Sequence, residues 1–309
     1  TDSVNYLNTT NQNTSQNARP SLRVNLDFQL SPRSAFNGVI QLNHNEAAQN
    51  SITRFTSINR FNAVWRVTDR SVLSSNTNWT PSLQLNYTLK TKAGQTLRIF
   101  TNWNGGQMQS NRDFLQNYLR PEGGISREDS LQRQLLENWN RGGALRFSYD
   151  KNWQPAKLSL SLGAFYNYIS THAVTATSYK KMPEQIFLPL PLLSNDFIFS
   201  QEIYNLRLSI KKVIGENLSV TAGTSLEKTL IGFDIRNENK QVANQYPTWL
   251  PFFNFNKSWK DRFSATLSFR RSINRPGMQQ LNPVLEFSDP FNLRFGNPNL
   301  LASTTDHYN

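Results

Sequence analysis

The sequence predicts an all-β protein, an antiparallel transmembrane β-barrel of the outer-membrane type, of which this chain supplies a part. Three observations indicate this fold. Apolar and polar residues alternate with a period of two, the polar positions carry charges and amides in segment after segment, and short turns alternate with long connections. Residues 21–45 show the repeating unit, an alternating segment on either side of the turn Ser31–Ser34.

The first alternating segment, residues 22–30, has apolar side chains at its even positions and polar or charged side chains at its odd positions. Successive side chains of a strand point to opposite faces, so this pattern is typical of a strand with one apolar side. A soluble β-sandwich shows the same alternation, with its apolar faces packed together and its charged faces outward. The repeated charges on the polar face and the unequal connections favour the membrane barrel.

Along the whole chain this pattern predicts about ten strands in five hairpins, each with about the 9 to 11 residues that cross a bilayer at a tilt. Outer-membrane barrels have short turns on the periplasmic side and long loops outside. Short turns are expected at residues 31–34, 91–94, 150–155, 211–217 and 259–262. Long connections are expected at residues 46–79, 105–140, 171–198 and 231–248.

Two of the long connections contain further patterns. Residues 58–67 alternate again, which predicts a strand extension above the membrane or an extra hairpin. Residues 128–138 indicate a short helix, because Leu131, Leu135 and Leu136 have i, i+4, i+5 spacing.

Composition excludes several other classes of protein. With 37% hydrophobic residues and a mean hydropathy of −0.57, the chain is too polar for a bundle of transmembrane helices. Its most apolar stretch, residues 187–193, is short and is broken by two prolines. The absence of cysteine excludes a disulfide-stapled scaffold, a thiolate metal site and a cysteine nucleophile.

A formal net charge of +12 would suit a nucleic-acid-binding domain. The lysines and arginines do not cluster, however, but lie singly at alternate strand positions or in turns. This distribution indicates a solvated inner wall, and we expect no nucleic acid partner. The predicted lumen-facing residues are Arg98, Arg146, Arg207 and Arg270.

No motif of an enzyme, a metal site or a cofactor site stands out. The three histidines, His44, His172 and His307, lie far apart, with no acidic or histidine neighbour at a metal-ligand spacing. Nucleophile elbows, phosphate-binding loops and dinucleotide fingerprints are absent from the sequence. We therefore expect neither an enzyme nor a protein that holds a metal or another cofactor.

Ligand contacts are expected in the long loops. Aromatic rings there lie beside arginines, a combination that stacks on and pairs with an anionic or polyhydroxylated ligand. The alternative is that these rings belong to the interfacial aromatic girdle or pack within the loops. The candidate ligand-binding residues are Trp103, Arg112, Phe114, Tyr118, Arg120, Trp139 and Arg141.

The segment 272–309 carries the most specific pattern in the chain. Its motifs are Arg275-Pro276, Leu281-Asn282-Pro283, Asp289-Pro290 and Gly296-Asn297-Pro298-Asn299-Leu300. Here the chain resembles the outer-membrane β-barrel domain of TonB-dependent receptors, and weaker matches at Ser31-Pro32 and Tyr204-Asn205-Leu206-Arg207 extend the resemblance over most of the chain. The family usually continues with Lys-Pro-Glu where this chain has Leu301-Ala302-Ser303, so no role of that glutamate carries over.

The X-Pro steps predict an ordered corner that redirects the chain between strands.

The resemblance implies a receptor in the cell outer membrane that binds a scarce nutrient such as a siderophore, a cofactor, a peptide or a glycan. The nutrient would enter through a barrel that is occluded by a plug and powered through contact with TonB. The implied partners are membrane lipid and lipopolysaccharide, the TonB complex acting through a plug that this chain lacks, and a small-molecule or glycan ligand.

The length of the chain bears on how much of such a receptor it represents. Plugged transporters of this class have about 22 strands. Turns near residues 32, 92, 152 and 214 correspond to about 60 residues per hairpin, and hence to about 10 to 12 strands here. Residues 1–309 are therefore expected to form a single barrel-domain fragment without a plug domain or a signal peptide.

Two other functions stay open. An outer-membrane barrel with a non-energised role in assembly, secretion or adhesion would show the same strand pattern. A soluble all-β binding protein or enzyme would need its Leu-rich faces to pack against each other. An upstream plug with a TonB-contact segment would separate energised uptake from the passive barrel, and a requirement for detergent would exclude the soluble protein.

Overall fold

A computed structural model describes residues 6–91, 94–181, 186–259, 263–282 and 295–309. Thirteen strands of this described part form one antiparallel sheet, accompanied by a short α-helical turn, α1 (Met278–Leu281), and by 3-10 turns at Pro191–Leu193 and Arg236–Glu238. The strands are β1 (Tyr6–Ala18), β2 (Ser21–Ser31), β3 (Ser34–Ile58), β4 (Val64–Lys90), β5 (Gln95–Leu119), β6 (Ile125–Trp153), β7 (Leu158–Lys181), β8 (Ile186–Pro189), β9 (Asn195–Ile214), β10 (Leu218–Ile235), β11 (Lys240–Trp259), β12 (Phe263–Asn274) and β13 (Ser303–Tyr308). Within these same residues, no helix has both the length and the apolar character needed to cross a membrane.

The strands follow one another across the sheet in nearly sequential order. The path runs β1-β3-β4-β5-β6-β7-β9-β10-β11-β12-β13, while β2 also pairs with β3 and β8 also pairs with β7. The strands β1 and β2 thus share one lateral position, interrupted at Pro20, which has no N–H to donate to a ladder. The path contains eleven strands and is not closed among the described residues, which confirms the prediction of a partial antiparallel barrel with about 10 to 12 strands.

The strands are much longer than predicted. Strands β3 to β7 have 24 to 29 residues each, more than twice the number that crosses a bilayer. The predicted long connections at 46–79 and 105–140 are therefore wrong, because strand structure continues to the five-residue turns 59–63 and 120–124. The prediction treated the loss of apolar residues as the end of a strand, whereas the backbone ladder continues through polar sequence.

The same error affects the predicted helix at residues 128–138, which is wrong because these residues belong to β6. Leu131 pairs with Leu115, and Leu135 pairs with Asn111 of the neighbouring strand. The leucine spacing suits a helix locally, but the long adjacent strand β5 offers backbone partners to residues 130–138 in turn. The alternating residues 58–67 form the tip of the β3–β4 hairpin, where the Asn59 side chain accepts hydrogen bonds from the N–H groups of Phe61 and Ala63.

The described short turns lie at or close to the positions that the alternation predicted, and one of them is displaced along the sequence. The turn at Ser31–Ser34 is held by the Ser31 hydroxyl, which accepts the N–H of Ser34 at 3.0 Å. The turn predicted within 211–217 is residues 215–217, where Gly215 adopts φ 62°. The turn predicted at 150–155 lies at 154–157, and residues 260–262 of the last predicted turn lie outside the described part.

Cross-strand pairing assigns each side chain to a face, because directly paired residues lie on the same side of a sheet. On β9, Leu206 and Leu208 lie on one side, which we call the outer face, and Arg207 lies on the other, the concave face. The cross-strand row through Leu206 is apolar over nine strands and contains Phe28, Phe36, Tyr87, Ile99, Phe147, Ala164, Leu206, Leu226 and Trp249.

The rows through Leu206 and Leu208 form an apolar band on the outer face. The rows through Tyr204 and Ile210, which border the band, are largely apolar but contain Lys228 and Lys151 respectively. Leu206 is 64% exposed and Leu208 is 41% exposed, so these leucines do not pack against a second sheet within the described structure. Exposed apolar side chains on this scale are typical of a surface that faces lipid.

The outer face becomes polar beyond the apolar band. Arg54 of β3 forms an ion pair with Asp69 of β4 at 2.7 Å, and Arg133 of β6 forms one with Asp113 of β5 at 2.7 Å. Charged side chains facing hydrocarbon are costly. The hydrophobic layer therefore ends below these pairs, and the distal halves of β3 to β6 extend beyond the bilayer.

Gly223 of β10 provides a test of packing on the concave face. A Cβ at this position would overlap the ring of Phe252, its cross-strand partner, and would lie 2.6 Å from the carbonyl oxygen of Leu208. We expect Gly223→Val to lower the free energy of unfolding by about 1 to 3 kcal/mol, through overpacking. The measurement is urea unfolding of the full-length protein in liposomes.

Gly163→Ala is the matched control for Gly223→Val. A Cβ at 163 would lie 3.7 Å from the Cβ of Arg207, which is an ordinary contact distance. The control should unfold at nearly the same urea concentration as the wild type. Equal losses of stability in the two variants would contradict the packing of Phe252 over Gly223.

Candidate functional site

The concave face carries a half-open cavity of about 840 Å³ between β6 and β13. Three of the four predicted lumen-facing arginines line it: Arg146 of β6, Arg207 of β9 and Arg270 of β12. The fourth, Arg98 of β5, lies in the same cross-strand row as Arg207 and donates a hydrogen bond to Asp150, which also lines the cavity. All four therefore lie on the concave face; their exposure to a barrel lumen stays a prediction.

Aromatic rings position two of these arginines. The guanidinium carbon of Arg207 lies 4.5 Å from the centroid of the Phe252 ring, and that of Arg146 lies 5.2 Å from the ring of Phe165. Such cation–π contacts hold a guanidinium plane while leaving its N–H groups available at the edge. Gly163, directly across from Arg207, leaves space beside the arginine side chain.

The carboxylates of the cavity already have partners of their own. Asp150 accepts hydrogen bonds from Arg98 Nη1 and from Ser161 Oγ, both at 2.6 Å. Glu227 forms an ion pair with Arg275 and accepts a hydrogen bond from Asn205 Nδ2 at 3.2 Å. Among the described residues, no carboxylate lies within salt-bridge distance of Arg146, Arg207 or Arg270.

A segment after β12 folds back onto the concave face. This inward segment comprises residues 275–282 and 295–300, and its two parts are joined by backbone hydrogen bonds from Gly296 N–H to Asn282 O at 2.6 Å and from Asn297 N–H to Gln280 O at 2.7 Å. A Cβ at position 296 would lie 2.7 Å from the nitrogen of Asn282, so the close approach requires glycine.

Two contacts anchor the inward segment to the sheet. Leu281 is 1% exposed and packs with Met278 against inward-facing side chains of β9 and β10. Arg275 pairs with the buried Glu227 and donates from Nε to Thr229 Oγ1 at 3.4 Å. Burial lowers the pKa of the Arg275 guanidinium from its usual value, but arginine remains charged at neutral pH. The apolar cluster beneath Leu281 consists of Ala173, Phe197, Phe199, Ile231 and Phe233.

The inward segment contains most of the motif that the sequence singled out. Sequence reasoning predicted an ordered corner between strands, and the structure adds that this corner lies against the concave face. Its Asp289-Pro290 step and Pro283 lie outside the described residues.

The seven predicted ligand-binding residues do not form one patch. Six of them belong to strands β5 and β6 rather than to loops, and only Arg120 lies in a turn. Arg112, Phe114 and Tyr118 lie on the concave side, where Phe114 is 9% exposed beneath Arg70. Their contact with a ligand stays a prediction.

The other three predicted ligand contacts lie on the outer face. Trp103 pairs with Leu83 and Gly143, and Arg141 pairs with Gly105 near this tryptophan. Trp139 stacks on His172 with ring centroids 5.1 Å apart. Tryptophans at this border of the apolar band have the placement of an interfacial girdle, the alternative considered for them.

The histidines take part in local contacts rather than in a metal site. His44 stacks on Trp79 with centroids 4.0 Å apart, and His172 Nε2 lies 2.8 Å from a carboxylate oxygen of Asp196. His307 Nε2 lies 2.9 Å from Ser272 Oγ. Across the described ranges, no three His, Asp or Glu side chains are grouped as metal ligands.

Sequence reasoning missed the aromatic, amide and acidic residues that complete the cavity. Phe165, Phe252, Asn205 and Glu227 all line it. The glycines at 163 and 223, placed at polar-face positions of alternating strands, were the available signal. That signal can be interpreted only when the register of the neighbouring strands is known.

Known proteins resemble the chain at the level of family and fold. The model of an outer membrane protein beta-barrel family matches residues 89–309, well over half of the chain. The ferric yersiniabactin uptake receptor FyuA from Yersinia pestis is similar in structure, with a TM-score of 0.50 and 9% identity over 89% of this chain and 47% of that one. The ferric citrate transporter FecA in its unliganded form has a TM-score of 0.36 and 14% identity over 84% of this chain and 44% of that one.

The similarity to these two structures is limited both in length and in sequence identity. The chain spans less than half the length of either of these two structures. At such identities the likeness to FyuA concerns the fold alone. No protein of curated function matches the sequence.

Proposed function

The chain belongs to an outer membrane protein β-barrel family and lies in the outer membrane, and from this premise we propose that it is the barrel wall of a receptor that admits a scarce nutrient in a TonB-dependent manner. The nutrient classes that suit such a receptor are siderophores, cofactors, peptides and glycans. The proposed partners are membrane lipid and lipopolysaccharide on the outer face, the TonB complex acting through a plug domain, and the nutrient itself. The proposal assigns no catalytic step to the chain.

The main observation that supports this proposal is the difference between the two faces of the sheet. The outer face is apolar, whereas the concave face is charged and lines a cavity. A solute that crosses a barrel needs a polar inner wall, whereas lipid needs an apolar exterior. The fold likeness to an uptake receptor, FyuA, supports the same function. The motif-bearing inward segment, which lies on the concave face, also supports it because it resembles that of TonB-dependent receptors.

The experiment that tests the proposal measures uptake by cells that produce the full-length protein. Labelled nutrients of the four classes are supplied to cells with intact TonB and to cells in which TonB is disrupted. We expect one nutrient to enter only when both the protein and TonB are present. Uptake that is unaffected by the loss of TonB would contradict the energised role and would favour a passive barrel with a role in assembly, secretion or adhesion.

A further inference from the structure

We propose that the outer face binds anionic phospholipids along its turn-side border, which consists of Lys151, Trp153, Lys212, Lys257 and Trp259. The group that is recognised is the phosphate-bearing headgroup of a lipid in the periplasmic leaflet. This inference rests on the proposed contact of the outer face with membrane lipid, to which it adds the class of lipid and the position of its headgroup. It needs neither TonB nor uptake.

The three lysines occupy equivalent positions at the ends of strands β6, β9 and β11. Each lies two residues before the last residue of its strand, which is Trp153, Ile214 or Trp259. Residues two apart share one side of a strand, so Lys212 lies on the same side as Leu208 of the apolar band. Cross-strand pairs place the other two lysines on that side as well. All three therefore lie on the outer face.

The lysines follow one line along the ends of the strands. Neighbouring lysines are two strands apart and are offset by two residues in register, a separation of roughly 12 Å. The turns that follow these strands shift by the same offset, so each lysine keeps the same distance from its turn. This spacing is comparable to the width of a phospholipid, and adjacent lysines can therefore contact neighbouring headgroups.

The height of the apolar surface above the lysines matches a bilayer. On the outer face of β6, four uncharged residues separate Lys151 from Arg141, and on β9 four separate Lys212 from Glu202. Each pair is ten residues apart, which corresponds to roughly 34 Å of strand and to roughly 25 Å across the membrane at a tilt of about 40°. The apolar band of outer-membrane barrels has this height. The lysines thus lie at the level of the headgroups on the side of the short turns.

Each ammonium group contacts a residue that is closer to the turn than its own backbone. The Nζ atoms of Lys151 and Lys257 lie 5.8 and 5.9 Å from the centroids of the tryptophan rings two residues later. Lys212 Nζ donates a hydrogen bond to the carbonyl oxygen of Ala156, which belongs to the turn between β6 and β7. Lysines at a membrane interface extend in this way, with the aliphatic stem on apolar surface and the charge at the level of the headgroups.

The charge of the turn-side border favours an anionic headgroup. On β6, β9 and β11, the described outer-face residues from the apolar band to the strand ends include no aspartate or glutamate. Asp150 faces the other side and pairs with Arg98, Glu216 lies in the turn after β9, and Asp261 lies outside the described residues. A lysine near an anionic membrane surface strengthens binding about fivefold. The two tryptophans are each 40% exposed, and such amphipathic rings favour the membrane interface.

The experiment measures lipid binding by native mass spectrometry of the full-length protein in detergent micelles. The probes are phosphatidylglycerol, which is anionic, and phosphatidylcholine, which is zwitterionic and has the same acyl chains. We expect phosphatidylglycerol to bind about tenfold more tightly or better. Since both lipids carry a phosphate and identical chains, the difference in affinity measures the effect of the net charge of the headgroup.

Substitutions assign the preference to the turn-side border. Lys212→Gln should weaken the binding of phosphatidylglycerol about fivefold, because it removes one of the three charges. The triple variant with Lys151→Gln and Lys257→Gln should bind the two lipids equally. The matched control is Lys211→Gln, which removes the same charge one residue away on the concave face and should leave the affinity unchanged. Heat-modifiable migration in gels checks that the variants are folded.

Three results would overturn the proposal: equal affinities of the wild type for the two lipids, an unchanged preference in the triple variant, or equal weakening in Lys212→Gln and Lys211→Gln. Lipopolysaccharide, the anionic lipid of the opposite leaflet, is a further probe. If Lys212→Gln weakens its binding and not that of phosphatidylglycerol, the proposal is also overturned. Equal affinities would reject the anionic site and leave the lipid contact of the outer face intact, and no outcome depends on uptake.

Discussion

Arg275→Ala should lower the stability of the inward segment by about 3 to 5 kcal/mol, because it removes the partner of a buried carboxylate. Glu227 is 9% exposed and pairs with Arg275. The neighbouring Thr229, which accepts a hydrogen bond from Arg275, is also buried. The loss should appear as earlier urea unfolding of the full-length protein and as faster proteolytic cleavage within residues 275–300.

Two control variants separate charge burial from a general effect of arginine removal. Arg54→Ala breaks an ion pair with Asp69 on the polar part of the outer face, beyond the apolar band, where such pairs contribute about 0 to 1 kcal/mol. The double variant Arg275→Ala with Glu227→Gln should recover part of the lost stability, since the buried charge is removed as well. If Arg275→Ala and Arg54→Ala lower the stability equally, the anchoring role of Arg275 is wrong.

Leu208→Arg should lower the free energy of unfolding by about 2 to 4 kcal/mol if position 208 lies near the bilayer midplane, and by less near an interface. The reason is that Leu208 lies within the apolar band, where an arginine would meet hydrocarbon. Arg207→Leu should have a mild effect on folding, because a solvated inner wall tolerates substitution. Urea unfolding in liposomes measures both variants.

Thiol labelling decides whether the outer face contacts lipid, since a soluble sandwich would also be destabilised by Leu208→Arg. The chain has no cysteine of its own, so Leu206→Cys, Arg207→Cys and Leu208→Cys each introduce a single reactive group. In membranes, a water-soluble thiol reagent should label the variant at position 207 and not those at 206 and 208. Equal labelling at all three positions would contradict the lipid-facing assignment of β9.

The predictions from sequence succeeded where a local pattern carries the information. The alternation of residues 204–210 was enough to place Leu206 and Leu208 opposite Arg207, because side-chain direction in a strand depends only on position along that strand. The turn at Ser31–Ser34 was equally local, since it depends on a hydroxyl that caps nearby N–H groups. The predictions from sequence failed at residues 105–140. There the backbone hydrogen-bond ladder between β5 and β6 decides the structure, rather than any property of either segment alone.

The sequence by itself determined the fold class, the two faces of each strand and the positions of the short turns, because these follow from a period of two and from turn chemistry. Only the tertiary structure decided the length of the strands, the division of the predicted ligand residues between two faces, and the meeting of Arg146, Arg207 and Arg270 at one cavity. It also decided that the inward segment packs on the concave face through Arg275. These features depend on cross-strand register and sheet curvature, which join residues tens of positions apart, and no local pattern encodes them.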